Sequence, residues 1–158
     1  MLKTVLVKNL KANPFRRLDE YPIIREKVDA LKESIDQTGF WGTICGREVE
    51  SHIEIAFGHH RLVALRESGV KQVEMIVREL SNEQMLQMMA RENMEEWGTS
   101  AWVEVETLRS TIEAFGKGLI QLPPVPKDTP KNVLRMSGER RYTRSTVARF
   151  LGWTKKGG

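Results

Sequence analysis

An apolar run from Ile53 to Phe57 reads as a buried strand, and it passes through Gly58 into a helical run from Leu62 to Ser68. A strand that turns through one glycine into a helix is an α/β signature, and it also constrains chemistry. Glycine lets the backbone approach a ligand, and the start of a helix points unpaired N–H groups at it. An anion fits there. Arg61 adds a rigid fork of donors suited to phosphate, and His59 and His60 add hydrogen bonds or partial positive charge. Arg61 paired with a carboxylate at the edge of the core is the alternative.

The rest of the chain alternates in the same way. Thr4 to Val7 reads as a short strand and Asn13-Pro14 as a turn. Ile24, Val28, Leu31 and Ile35 recur at helical spacing up to Thr38, with Gly39 as the C-terminal cap. Thr43 to Val49 and His52 to Phe57 form two strands around a tight Glu50-Ser51 connection, and Gln72 to Arg78 alternates like a third. Ser81-Asn82-Glu83-Gln84 has the form of a capping box ahead of a methionine-rich helix reaching about Glu95. Gly98-Thr99-Ser100 interrupts the chain. Val105, Leu108, Ile112 and Phe115 then mark another amphipathic helix. The expected fold is α/β (α+β), a small mixed sheet with helices packed on it.

From Gly116 to Arg141 the four prolines Pro123, Pro124, Pro126 and Pro130 predict an extended linker. Beyond it, Tyr142 to Gly152 carries Val147, Phe150 and Leu151 on a short helix ending at Gly152-Trp153. This has the form of the first half of a helix-turn-helix whose second half is cut off, or of a helix packing back on the main body. The expected organisation is therefore residues 1–97 as a first domain, 98–116 as a helical extension, 117–141 as a linker and 142–158 as a truncated helix-turn-helix.

Charge is unevenly spread. Residues 131–158 carry eight cations against Glu139 alone, a net +7, so the other 130 residues carry −3 of the chain's +4. A concentrated basic segment is the electrostatic footprint of nucleic-acid contact, with a solvated tail as its bland alternative. Arg140, Arg141, Arg144 and Arg149 are the DNA-binding candidates. One cysteine, Cys45, excludes an internal disulfide framework, and no apolar stretch reaches membrane-spanning length. The chain reads as intracellular, with no membrane partner. His59 and His60, adjacent and about 100° apart on a helix, disfavour joint zinc ligation. Met85, Met88, Met89 and Met94 read as adaptable core, and Trp41, Trp97 and Trp102 as core area or base-stacking surfaces.

Asn13-Pro14-Phe15-Arg16-Arg17, Leu31-Lys32-Glu33-Ser34-Ile35, Thr38-Gly39-Phe40, the Gly58 to Ala64 turn and Arg91-Glu92-Asn93 occur in the order seen in ParB/sulfiredoxin-like N-terminal domains. The chain resembles that superfamily over roughly Val5 to Trp97. The resemblance implies a pocket for a nucleoside triphosphate, CTP in ParB-type members, held with Mg²⁺. In the family the turn commonly reads Gly-Glu-Arg-Arg-x-x-Ala, and this chain keeps Gly58, Arg61 and Ala64 with His59 and His60 between. A second box, commonly Glu-Asn-x-x-Arg, is matched by Glu92 and Asn93 but has Glu96 for the arginine, which removes a cation and adds an anion near the phosphates. By this resemblance Gly58, His59, His60, Arg61, Thr43 and Asn93 bind nucleotide, and Glu92 and Asn93 hold Mg²⁺.

The sulfiredoxin branch needs a cysteine thiolate where His59 stands, so that activity is rejected. Three functions stay open: a DNA-binding partition or regulatory protein, expected as a homodimer, with a CTP-type switch and slow NTP hydrolysis; a metal-dependent nuclease or phosphoryl-transfer enzyme with Glu92 as the catalytic group; and an adaptor whose pocket has decayed.

Overall fold

The computed structural model describes residues 1–17, 23–97, 101–125, 134–135 and 141–153, with the backbone alone for 93–97, 101 and 134–135. The chain forms two compact units, Met1–Ser81 and Asn82–Gly158.

The first unit holds a five-stranded mixed sheet in the order β1-β5-β3-β4-β2. Its strands are β1 (Leu2–Leu6), β2 (Leu10–Lys11), β3 (Cys45–Val49), β4 (His52–Phe57) and β5 (Gln72–Val77). β1 runs antiparallel to β5 with Leu2 opposite Ile76, β5 parallel to β3, β3 antiparallel to β4, and β4 parallel to β2 with Leu10 opposite Ile53. The alternation along β5 explains its place: Val73, Met75 and Val77 are buried while Gln72, Glu74 and Ile76 are exposed. Gly46 sits at a register shift in β3, where a Cβ would lie 2.4 Å from the Glu54 carbonyl oxygen. Only glycine fits that close a neighbour.

Helices α1 (Arg25–Thr38) and α2 (His59–Glu67) pack on each other. Leu62 and Leu65 of α2 join Val7, Leu10, Ile44, Ile53, Ile55, Val73, Met75 and Val77 in one core, flanked by Ile35 and Phe40. An Arg25–Glu67–Lys32 network joins the two helices at the surface. Its screened ion pairs fix direction more than they stabilise. Arg47 and Glu54 form a half-buried pair across β3 and β4, and Arg47 Nη1 also donates to the Leu80 carbonyl at 3.1 Å.

Several boundaries differ from the sequence expectations. β1 spans Leu2–Leu6 and gives way to a 3-10 turn at Val7–Asn9, and β3 starts at Cys45 rather than Thr43. α2 starts at His59, three residues before its first apolar residue, because Gly58 takes the left-handed conformation (φ 94°, ψ 32°) that turns the strand into the helix.

The second unit contains α3 (Asn82–Trp97), α4 (Ala101–Gly116), β6 (Leu134–Arg135), β7 (Arg141–Tyr142) and α5 (Arg144–Leu151). Met85 and Met89 are core, as their spacing predicts, and Met88 is half-buried. The inward face of α4 is a surprise. Val105 is exposed while Thr107, Ser110, Thr111 and Ala114 are buried. The buried threonines satisfy their hydroxyls on their own helix, Thr107 to the Val103 carbonyl and Thr111 to the Thr107 carbonyl.

Within the stretch expected as a linker, Leu134–Arg135 pair antiparallel with Arg141–Tyr142. Tyr142 therefore belongs to a strand, and α5 starts after Thr143, whose hydroxyl accepts the Thr146 amide while the Thr146 hydroxyl accepts that of Thr143. Gly152, left-handed at φ 75°, ends the helix. Gln87 ties α3 to α5 through the Phe150 carbonyl at 3.0 Å. Gly98-Thr99-Ser100 and Pro126 to Pro130 lie outside the described residues, as do the side chains of Met94 and Trp97.

Candidate functional site

The site forms where β4 ends and α2 begins. Gly58 is buried, and a Cβ there would lie 3.3 Å from Ile44 Cγ1. Gly58, the N-cap residue, has no side chain with which to cap the first turn of α2, and that turn presents the positive end of the helix dipole.

His59 points into the protein. It is 3% exposed, and its Nε2 accepts the Asn13 amide at 3.1 Å. Because that nitrogen accepts, the proton of the neutral ring sits on Nδ1, which is buried and has no hydrogen-bond partner among the described residues. Burial, then repulsion from Arg16 and from a proton on His60, hold His59 well below the usual histidine range. His59 is thus a neutral imidazole that organises a loop and presents one buried N–H donor.

The loop it organises contains a residue the sequence marks only as a turn. Asn13 is 1% exposed, and its side chain donates to the Ala56 carbonyl at 3.0 Å and accepts the Phe15 amide at 3.0 Å. Its carbonyl accepts the Arg16 amide at 3.0 Å. These bonds place Arg16, itself buried, close enough to depress the His59 ring. Asn13 and Arg16 appear in the sequence only within a family box, and nothing in their spacing reveals their burial.

His60, one residue on, is half-buried and turns elsewhere: its Nε2 accepts the Ile24 amide at 3.1 Å. Arg61 Nη1 donates to the Thr43 carbonyl at 2.9 Å, and its side chain runs along Gly42, where a Cβ would come within 3.3 Å of it. Thr43 enters the site through its backbone. Beside Arg61 a hollow of about 110 Å³ is lined by Leu31, Ile35, Phe40, Trp41 and Gly42. Trp41 is 79% exposed and Trp102 51%, so neither supplies core area.

The remaining candidates lie in the second unit. Glu92 is on α3 and half-buried, and the side chain of its neighbour Asn93 lies outside the described residues. Arg141 on β7 and Arg144 and Arg149 on α5 are exposed, while Arg140 lies outside the described residues. The structure therefore gathers Gly58, His59, Arg61 and the Thr43 backbone around one helix start, adds Asn13 and Arg16, and turns His60 toward α1.

Known proteins share the fold that carries this site. The chain is 31% identical over 142 residues to a probable chromosome 2-partitioning protein ParB of Deinococcus radiodurans, a match covering 81% of this chain and 48% of that protein. It thus spans about half the length of that curated relative. Its fold matches a Pnob8-like ParB-N domain with a TM-score of 0.64 at 10% identity, over 96% of this chain and 60% of that one. It also matches the C-terminally truncated chromosome-partitioning protein ParB of Caulobacter crescentus complexed with CTP-γ-S, with a TM-score of 0.54 at 23% identity over 73% and 64% of the two chains. The same Caulobacter protein complexed to the centromeric parS site matches with a TM-score of 0.56 at 18% identity, over 96% and 65%. The profile of the ParB N-terminal domain covers residues 1–94, and the chain belongs to that family.

Proposed function

We propose that the first unit binds the phosphates of a nucleoside triphosphate, of the CTP type, at the start of α2, and that occupancy regulates a DNA-bound partition protein. The observation that carries this reading is the concentration of donors around Gly58: the positive end of the α2 dipole, the Arg61 fork, and the buried N–H of His59 beside the buried Arg16. An anion there would satisfy a donor that has no acceptor among the described residues and would lower the cost of burying the Arg16 cation. The Caulobacter relative complexed with CTP-γ-S supports a nucleotide as that anion. The hollow beside Arg61 offers an apolar wall next to the phosphate donors.

Glu92 and Asn93 offer hard oxygen donors of the kind Mg²⁺ prefers, and they are the residues that would hold the ion with the phosphates. Mg²⁺ would supply charge neutralisation of the triphosphate. Arg140, Arg141, Arg144 and Arg149 would contact the DNA phosphates, a role supported by their exposure where described and by the parS complex of the Caulobacter relative. A homodimer would let occupancy bias two arrangements of paired chains.

Calorimetry with CTP, ATP and GTP, with and without magnesium, tests the reading. Arg61→Ala is expected to weaken binding by about 10- to 100-fold, the loss of hydrogen bonds to a charged group. No binding of any of the three nucleotides, with DNA present or absent, refutes it. Magnesium- or manganese-dependent DNA cleavage that is lost in Glu92→Ala would replace it with a nuclease.

A further inference from the structure

His59 and His60 use the same atom, Nε2, for the same task on two different segments. His59 accepts the amide of Asn13 and His60 that of Ile24, each at 3.1 Å. An imidazole nitrogen can accept an N–H only while it is unprotonated, so both bonds exist only for neutral rings. Their surroundings differ. His59 is 3% exposed and kept neutral by burial and by Arg16, so its bond is permanent near neutral pH. His60 is half-buried, within reach of solvent protons.

The bond made by His60 sits at the start of α1. Ile24 is the N-cap residue of that helix, is 39% exposed, and has an apolar side chain that cannot cap it. His60 thus supplies an acceptor from another helix, next to the exposed Arg25 pairs with Asp29 and Glu67. α1 also supplies Leu31, Ser34 and Ile35 to the hollow beside Arg61.

We propose that His60 is a proton-operated latch on the start of α1: the neutral ring holds the Ile24 amide, and the protonated ring releases it. On protonation Nε2 gains a hydrogen and loses the lone pair that receives the Ile24 N–H, so two donors face each other and the bond opens. The proton comes from solvent. Among the described residues, the ionisable groups on the elements around the ring are Arg16 and Arg17 of the loop, His59, Arg61, Arg66 and Glu67 of its own helix, and Arg25, Glu26, Lys27, Asp29, Lys32, Glu33 and Asp36 of α1. The helix dipole and Arg61 present positive charge at the start of α2. An anion at the start of α2 offsets them, so phosphate occupancy favours the released state; this coupling rests on the nucleotide reading above. Protonation or phosphate would thereby loosen the helix that walls the hollow.

Amide exchange measured by NMR on the 158-residue chain between pH 5.5 and 7.5, expressed as protection factors, tests the latch. The Ile24 amide is expected to lose about 2- to 10-fold in protection as His60 titrates, while the Asn13 amide, held by His59, keeps its value. His60→Gln retains an acceptor that does not titrate and should abolish the pH dependence at Ile24. Protection at Ile24 that is constant with pH, or that falls equally in His60→Gln, overturns the latch. Magnesium tripolyphosphate should move the Ile24 midpoint to higher pH. An anion that binds without moving it overturns the coupling, whereas an anion that fails to bind counts against the nucleotide reading and leaves the ligand-free titration to decide the latch.

Discussion

The buried neutral ring of His59 makes folding stability pH-dependent in a calculable way. In the folded chain burial keeps the ring unprotonated, while in the unfolded chain it titrates near its ordinary value of 6.5. Below about pH 6.5 the unfolded state therefore binds a proton that the native state refuses, and stability falls as pH falls. Above that pH neither state binds one and the effect vanishes. Between pH 7.5 and 5.5 an unfolded histidine gains about 0.8 of a proton, which corresponds to a loss of about 1.4 kcal/mol. His59→Gln keeps an acceptor for the Asn13 amide and removes the titrating group. Its absolute stability will change with the lost ring, but the difference between the two pH values isolates the proton. Urea unfolding followed by circular dichroism at pH 7.5 and 5.5 for both proteins gives four free energies. The variant should lose about 1.4 kcal/mol less than the native sequence on acidification, since His52, His60 and the carboxylates contribute to both. Equal losses would refute the claim that His59 is neutral and sealed in the folded state.

Gly58→Ala should cost about 1–2 kcal/mol, because φ of 94° disfavours an L residue and the new methyl would press on Ile44; thermal melting checks it. Thr143→Ala removes both the hydroxyl cap of α5 and the reciprocal arrangement with Thr146, and urea unfolding should show a loss of about 1 kcal/mol. If Arg144 and Arg149 bind DNA phosphates, each alanine variant should reduce the slope of log affinity against log salt by about one, measured by fluorescence anisotropy, with sequence preference unchanged. Unchanged slopes would remove α5 from the DNA interface.

The parts of this fold that were legible beforehand are those with a period. β4, β5 and α1 announce themselves through alternation or 3.6-residue spacing, and Gly58 marks the turn between β4 and α2. The start of α2 was misplaced because His59 and His60 are polar and carry no periodic signal, whereas the backbone conformation of Gly58 decides where the helix begins. Burial of the first histidine and partial exposure of the second is invisible for the same reason: two identical side chains point about 100° apart, and only the packed neighbours reveal which goes inward. β2 and the β6–β7 pair are two residues a strand, too short for any pattern. On α4 the apolar set named the right helix and Phe115 is buried, but Val105 is exposed and Thr107 and Thr111 lie inward, because threonine hydroxyls that bond their own backbone can be buried at little cost. Asn13 illustrates the limit at the site. A turn residue by composition, it is a buried hub because three separate segments bond to it.

The sheet order has a bearing on how the chain is made. β1 leaves the ribosome ahead of the other strands of its sheet, and its partner β5 begins about 65 residues later, on the far side of two helices and a hairpin. Until Gln72 to Val77 has emerged, Leu2 to Leu6 has neither edge paired, and in the finished sheet it pairs along one edge only, with β5. The β3–β4 hairpin, by contrast, closes locally and is ready early. Synthesis thus leaves β1 as a waiting segment that a chaperone or a neighbouring nascent chain can capture, and a pause after β5 would be the point at which it gains its one partner.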